Sequence, residues 1–200
     1  MKTSIFLICF FVLSFCCNEI SAQKEFVPDT TINNLFFLLD ANSSKGFCPN
    51  INDIEVLDEK FFLDEEITFL QDPSPLIIFF NADKTKYLIA FAHYGSWKYK
   101  FAEFEIGYVT EIVLKELKNR YIETSYKNFQ TESKLRLGMT LSELEDVKGK
   151  NYIRDGNIVT YVINDENSDF LEEYNMPEYY LKCELSQNKV CKIRFGFTYP

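Results

Sequence analysis

Two glutamates on one predicted strand have the spacing that most strongly suggests chemistry. Glu103 and Glu105 alternate along a run that also carries Trp97, Tyr99 and Phe101. Residues i and i+2 of a strand share a face about 6–7 Å apart, and the carboxylate pairs of glycoside hydrolases are about 5–9.5 Å apart. Aromatic rings beside the acids would suit stacking on a sugar. We therefore treat these residues as a candidate ligand-binding face; ordinary surface acids on an aromatic strand are the alternative.

Other groups that could catalyse a reaction or bind a metal are incomplete. His93 is the only histidine, and no HExxH or paired CxxC motif accompanies it. Asp165, Asn167 and Asp169 imitate the first three ligand positions of a calcium loop. Phe170 stands where such a loop requires glycine. The sequence therefore predicts no catalytic residue, metal site or cofactor, and it favours a non-enzymatic protein.

Residues 1–22 have the features of a secretory signal peptide. Lys2 supplies the charged start, residues 5–17 form an apolar run, and Ile20-Ser21-Ala22 places small residues before Gln23. The run is shorter than the about 20 apolar residues of a membrane-spanning helix. We therefore expect cleavage near Ala22/Gln23 and a periplasmic or secreted mature chain with no transmembrane span.

A lipid anchor on Cys16 or Cys17 is the alternative to a free mature N-terminus. The string Leu13-Ser14-Phe15-Cys16 resembles a lipobox, although Phe15 is bulky where a small residue is normal. Secretion with cleavage near Ala22 is the interpretation that we favour.

Three cysteines follow the predicted leader: Cys48, Cys183 and Cys191. Cys183 and Cys191 flank a predicted turn at residues 187–189. A three-residue turn would place both on one face of a hairpin, where a disulfide could form. A two-residue turn would place them on opposite faces, and they would then be two small hydrophobic residues.

The composition bounds the classes of partner. The chain has a formal net charge of −9 and carries 20 Phe and 12 Tyr. A basic patch that could neutralise phosphates is missing from the sequence, which argues against a nucleic-acid partner. The same charge disfavours docking on an anionic membrane. The aromatic content predicts a ring-rich core.

Hydrophobic periodicity divides the mature chain into two regions, 23–125 and 126–200. In the first, the patterns predict a short helix that follows Thr30 and Thr31 and ends near residues 42–46, strands over 76–80, 87–94 and 97–108, and a helix over 110–120. In the second, they predict a strand over 129–137, a helix that starts with the capping box Thr140–Glu143 and ends at Gly149, a hairpin around Asp155-Gly156, a helical turn capped by Ser168, and a final hairpin of residues 179–185 and 190–197. The expected fold class is α+β: antiparallel sheet, with a few short helices packed on one side, in one domain or in two sheet units joined near residue 125.

The segment Leu137-Gly138-Met139-Thr140-Leu141-Ser142-Glu143-Leu144, followed by Lys148-Gly149-Lys150, resembles a motif of known modules. It is similar to the Gly-Met-Thr helix segment of outer-membrane-assembly lipoproteins of the SmpA/OmlA type and of β-lactamase-inhibitor-like modules. The resemblance covers residues 129–200. It implies a short helix followed by an antiparallel sheet, and a role in binding another protein. It implies no catalytic residues.

Together these patterns predict an extracytoplasmic protein-interaction module of the bacterial cell envelope. Its contact surface would be a sheet edge or the face of Trp97, Tyr99 and Phe101, and its partner another extracytoplasmic protein. A binder of an apolar or sugar-like ligand is the first alternative. A hydrolase using Glu103 and Glu105 is the second.

Overall fold

A large, mostly antiparallel sheet organises the fold in the computed structural model, which describes residues 24–33, 35–36, 76–92, 101–117 and 120–198. The strands are β1 (Thr31–Ile32), β2 (Leu35–Phe36), β3 (Leu76–Phe80), β4 (Lys86–Ala92), β5 (Phe101–Tyr108), β6 (Ile122–Glu123), β7 (Ile153–Asp155), β8 (Ile158–Ile163), β9 (Glu178–Ser186) and β10 (Lys189–Thr198), and the helices are α1 (Glu111–Leu117), α2 (Leu141–Lys148) and α3 (Asp169–Tyr174). Eight strands pair in the order β6-β3-β4-β5-β10-β9-β8-β7, and β1 pairs with β2 separately. Only the β3–β6 pair of the described sheet is parallel, so the predicted α+β class with antiparallel strands is confirmed.

The sheet continues across the predicted boundary near residue 125. β5, from the first region, pairs with β10, from the second, over five residue pairs that run from Lys192 opposite Gly107 to Gly196 opposite Glu103. The two regions therefore contribute neighbouring strands to one sheet.

Several elements form where the sequence predicts them. The capping box of α2 is present: the Thr140 hydroxyl accepts from the Glu143 N–H, and the Glu143 carboxylate accepts from the Thr140 N–H at 2.7 Å. Ser168 caps α3, and α1 lies within the predicted helix. These helices form because local capping and amphipathic spacing agree with the tertiary contacts.

Two predicted elements are wrong. The segment predicted as a short helix after Thr30 and Thr31 instead contains β1 and β2, two short strands with a positive φ at Asn33 between them. Residues 129–137, predicted as a strand, form turns with one bridge between Thr131 and Ile32. Ile32 of the first segment and Phe129, Leu135 and Leu137 of the second are buried in the core although neither segment forms the predicted element, so periodicity alone misleads.

Helices lie on both faces of the sheet, which corrects the prediction that they pack on one side. On one face, the main-core face, Leu144 of α2 and Leu171 of α3 join a large apolar cluster with strand residues such as Phe104 and Phe195. On the other, the second face, Val113 and Leu117 of α1 cover part of β3 and β4 in a smaller cluster. In the part of the chain described, no helix has the length and apolar character needed to cross a membrane.

Of the two alternatives for Cys183 and Cys191, the one without a disulfide is found: both thiols are free. The hairpin turn has two residues, Gln187 and Asn188, both at positive φ, and Ser186 pairs with Lys189. Cys183 then points into the main core. A bulge between Val190 and Lys192 leaves Cys191 out of register, and its thiol donates to the Glu184 carbonyl at 3.3 Å.

Candidate functional site

On the second face, one row of cross-strand neighbours is apolar at both ends and polar across its middle strands. The cross-strand partners run in the order Ile78, Ile89, Glu105, Arg194, Lys182, Thr160 and Ile153. The two neighbouring rows place Glu103 opposite Gly196 and Lys192 opposite Gly107. The polar cluster of this face consists of Tyr87, Glu103, Glu105, Tyr180, Lys192 and Arg194. It lies between the helix-covered strands and the open edge of the sheet.

Phe101 does not belong to this face. A bulge in β5 makes Phe91 pair with Glu103 and Ala92 pair with Phe101. The extra residue turns Phe101 into the main core, where it is buried beside Phe104. The prediction that Phe101 shares a face with the two glutamates is therefore wrong. Trp97 and Tyr99, the other aromatic residues of the predicted contact surface, and His93 lie outside the described residues.

Glu105 is a buried carboxylate held by three side chains. Its side chain is 1% exposed. Oε1 accepts from the Tyr87 hydroxyl at 2.9 Å and lies 3.4 Å from Lys192 Nζ, and Oε2 lies 3.7 Å from Arg194 Nη1. Burial and the neighbouring carboxylate raise the pKa of Tyr87 far above its ordinary value. Tyr87 therefore acts as a hydrogen-bond donor, since its phenol stays protonated.

Glu103 is held by the same arginine from the neighbouring row. Arg194 Nε donates to Glu103 Oε1 at 2.6 Å, and Nη2 also contacts that oxygen. The Tyr180 hydroxyl donates to Oε2. The Arg194 guanidinium also lies over the Phe91 ring, 4.6 Å from its centroid, which favours a cation on that ring. One guanidinium thus joins both carboxylates.

Glycines make room for this arrangement. Gly107 lies directly opposite Tyr87, and a Cβ there would be 2.3 Å from the Tyr87 hydroxyl oxygen. Gly196 lies between Tyr180 and Glu103 in register, and a Cβ there would be 2.3 Å from the Ala102 carbonyl oxygen. Side chains at these positions would block Tyr87 and separate β10 from the β5 bulge.

These contacts do not resemble an acid–base pair. A glycoside hydrolase needs one carboxyl group that carries a proton and a second that attacks or activates water beside the substrate. Glu103 and Glu105 both contact the Arg194 guanidinium, so the two carboxylates share one cation and are not placed in the contrasting environments that an acid and a base require. Glu105 is also almost inaccessible. The geometry suits a structural ion cluster, and it argues against the hydrolase alternative.

Sequence reasoning found the two glutamates but missed their partners. Arg194, Lys192 and Tyr180 come from the final hairpin, and their relation to β5 depends on the β5–β10 pairing. The alternation of Lys192 and Arg194 with buried residues was the available signal, since it places two cations on one face of a strand. Nothing in the sequence indicated which strand that face would meet.

The calcium-like residues serve a turn and a helix start. The Asp165 carboxylate accepts from the backbone and side chain of Asn167, which lowers the pKa of Asp165. Asp169 begins α3 after its cap, Ser168. Across the described residues, no group of three or more His, Cys, Asp or Glu side chains could hold a metal ion.

The open edge of the sheet is the most exposed apolar feature of the described strands. β7 has β8 on one side and no other described strand on its outer side. Ile153, on this edge, is 68% exposed. It lies on the second face next to half-buried Ile158 and Val162 of β8. The outer side of β7 could pair with an extended segment of another chain.

Comparison with known proteins gives no relative: no family model matches the chain, and neither a curated protein nor a solved structure matches it. The resemblance of residues 129–200 to outer-membrane-assembly lipoproteins and β-lactamase-inhibitor-like modules therefore stays a prediction.

Replacing Gly107 should destabilise the protein through Tyr87. We expect Gly107→Ala to lower the free energy of unfolding by about 1–3 kcal/mol, because the new methyl overlaps a packed ring. The loss should shrink in a Tyr87→Leu background, measured by urea denaturation. Gly156→Ala separates steric overlap from backbone strain: nothing lies within 4 Å of a Cβ there, so any loss comes from its φ of +56° and should be unchanged in the Tyr87→Leu background. Equal losses from Gly107→Ala with and without Tyr87 would contradict this explanation.

Proposed function

We propose that this chain is a secreted or periplasmic, non-enzymatic protein-interaction module of the bacterial cell envelope. The leader-like residues 1–22 support export of the chain. The observation that carries the interaction role is the exposed β7 edge, where Ile153 projects into solvent beside Ile158 and Val162. In the polar cluster of the second face, Arg194 contacts both carboxylates, which supports a role without catalysis.

The β7 edge suits an extended segment of another protein. An added strand would hydrogen-bond to the free side of β7, and its side chains on the second face would meet Ile153. This contact replaces the predicted surface of Trp97, Tyr99 and Phe101, because Phe101 belongs to the main core.

Site-specific photocrosslinking in the envelope tests the proposal. A photoreactive amino acid at Asp155, which is exposed on β7, should give one recurrent protein adduct in intact cells. Ile153→Asp in the same chain should remove that adduct, because it places a charge in the apolar contact. The matched control carries the photoreactive residue at Glu166, an exposed loop position, and should not give the adduct. Adducts that are equal at both positions, or that survive Ile153→Asp, would refute the β7 edge as the interface.

A further inference from the structure

The first described residues form a strap across the main-core face. This strap, residues 24–33, crosses the C-terminal end of α2. The Lys24 ammonium donates to the Asp146 carbonyl at 2.8 Å, and the Lys24 carbonyl packs on Gly149, where a Cβ would be 2.3 Å away. The Phe26 ring stacks on Tyr161 with centroids 4.8 Å apart.

A buried ion pair fixes the centre of the strap. Asp29 Oδ2 lies 2.7 Å from Lys148 Nζ, and both side chains are 1% exposed. The Lys148 ammonium also donates to the Val27 carbonyl at 2.7 Å. The Tyr179 hydroxyl donates to the Asp29 carbonyl, and Ser133 donates to its carboxylate. Lys148 therefore loses its buried partners whenever the strap leaves.

The far end of the strap is equally bound. The Glu132 carboxylate accepts from the backbone N–H and the hydroxyl of both Thr30 and Thr31. Ile32 is fully buried in the main core. Terminal segments are usually loosely held unless they are tied down in this way. This one completes the core.

We infer that the strap couples folding of the protein to release of its N-terminus. The inference rests on the export that we propose above. Only residues 18–23 separate the predicted apolar run of the leader from Lys24, and six residues span at most about 22 Å. A leader held in a membrane keeps the strap from docking on α2, and Lys148 then has no carboxylate partner in the core. Folding is completed when cleavage near Ala22/Gln23 frees the strap.

Limited proteolysis of three purified forms of the protein tests this coupling. They are the precursor in phosphatidylethanolamine–phosphatidylglycerol nanodiscs, the same precursor with fifteen Gly-Ser residues inserted between Ala22 and Gln23, and the mature chain that starts at Gln23. We expect thermolysin to cleave the precursor at least about tenfold faster than the mature chain, because cleavage tracks the open population. The insertion should restore resistance close to that of the mature chain.

Two results would overturn the coupling. One is a precursor as resistant as the mature chain. The other is equal sensitivity of the precursor with and without the insertion, which would mean that the distance between leader and strap is irrelevant. The assay contains no partner protein, so it fails or succeeds independently of the interface at β7. N-terminal sequencing of the protein from cells tests export separately.

Discussion

Lys148→Met should lower the free energy of unfolding by about 3–5 kcal/mol at pH 7, the cost of removing one partner of a buried ion pair. The substitution keeps the length of the side chain and removes its charge, which leaves Asp29 buried without a cation. Chemical denaturation of the mature chain measures the loss. Lys150→Met is the control, because Lys150 is exposed and pairs only at 3.6 Å with Glu145; it should change stability by less than about 0.5 kcal/mol.

The loss should depend on pH with a defined sign. Burial raises the pKa of Asp29 above its ordinary value, and Lys148 opposes that rise. A carboxyl group whose pKa is higher in the folded state takes up a proton on folding, so its contribution to stability decreases as pH rises from 3.8 through the folded pKa. Lys148→Met removes the charge that opposes the rise, so the folded-state pKa of Asp29 goes up further. The pH range over which stability falls therefore becomes wider. The loss should therefore be smaller at pH 5 than at pH 7, by up to about 1.4 kcal/mol per pH unit.

A second substitution separates pairing from packing at this site. Asp29→Leu combined with Lys148→Met removes both charges, and it should recover most of the stability lost in the single variant, as is common for buried pairs replaced by apolar residues. If Lys148→Met is no worse than Lys150→Met, the strap does not depend on the pair.

The elements that the sequence predicts well are those specified by local chemistry. The α2 capping box needs only Thr140 and Glu143, three residues apart, and the final hairpin needs only two alternating runs around a polar turn. Both are short-range patterns, so neighbours in sequence are enough to determine them.

The candidate site could not be assembled from sequence because it depends on long-range pairing. Arg194 meets Glu103 and Glu105 only because β5 and β10 are neighbours, about ninety positions apart in the chain. The β5 bulge also reverses the face of Phe101, since one extra residue in a strand exchanges its two faces. Strict alternation therefore fails between Phe101 and Glu103, inside the predicted binding face.

The strap was missed for a related reason. Asp29 and Lys148 look like ordinary surface charges in sequence, since charged residues are rarely buried. Their pairing joins the strap to the end of α2, and no local pattern in the sequence indicates a contact over that separation.

Arg194→Met should be the second severe variant, with a loss of about 3–5 kcal/mol in the free energy of unfolding. Glu105 is buried, the Glu103 side chain is only 13% exposed, and both carboxylates contact this guanidinium. Without it, two negative charges share a largely dry site, with Lys192 in contact with Glu105 alone. Urea denaturation of the purified mature chain measures the effect.

Arg194→Lys should not restore the stability, because one ammonium cannot reproduce contacts from three nitrogens to two carboxylates. Glu103→Gln with Glu105→Gln in the Arg194→Met background should recover part of the loss, since it removes the two charges that Arg194 no longer offsets. Arg154→Met on the exposed β7 is the control for losing an arginine from this sheet, and it should have little effect. Full stability in Arg194→Lys would show that any cation suffices and that the fork geometry of Arg194 is not what joins Glu103 to Glu105.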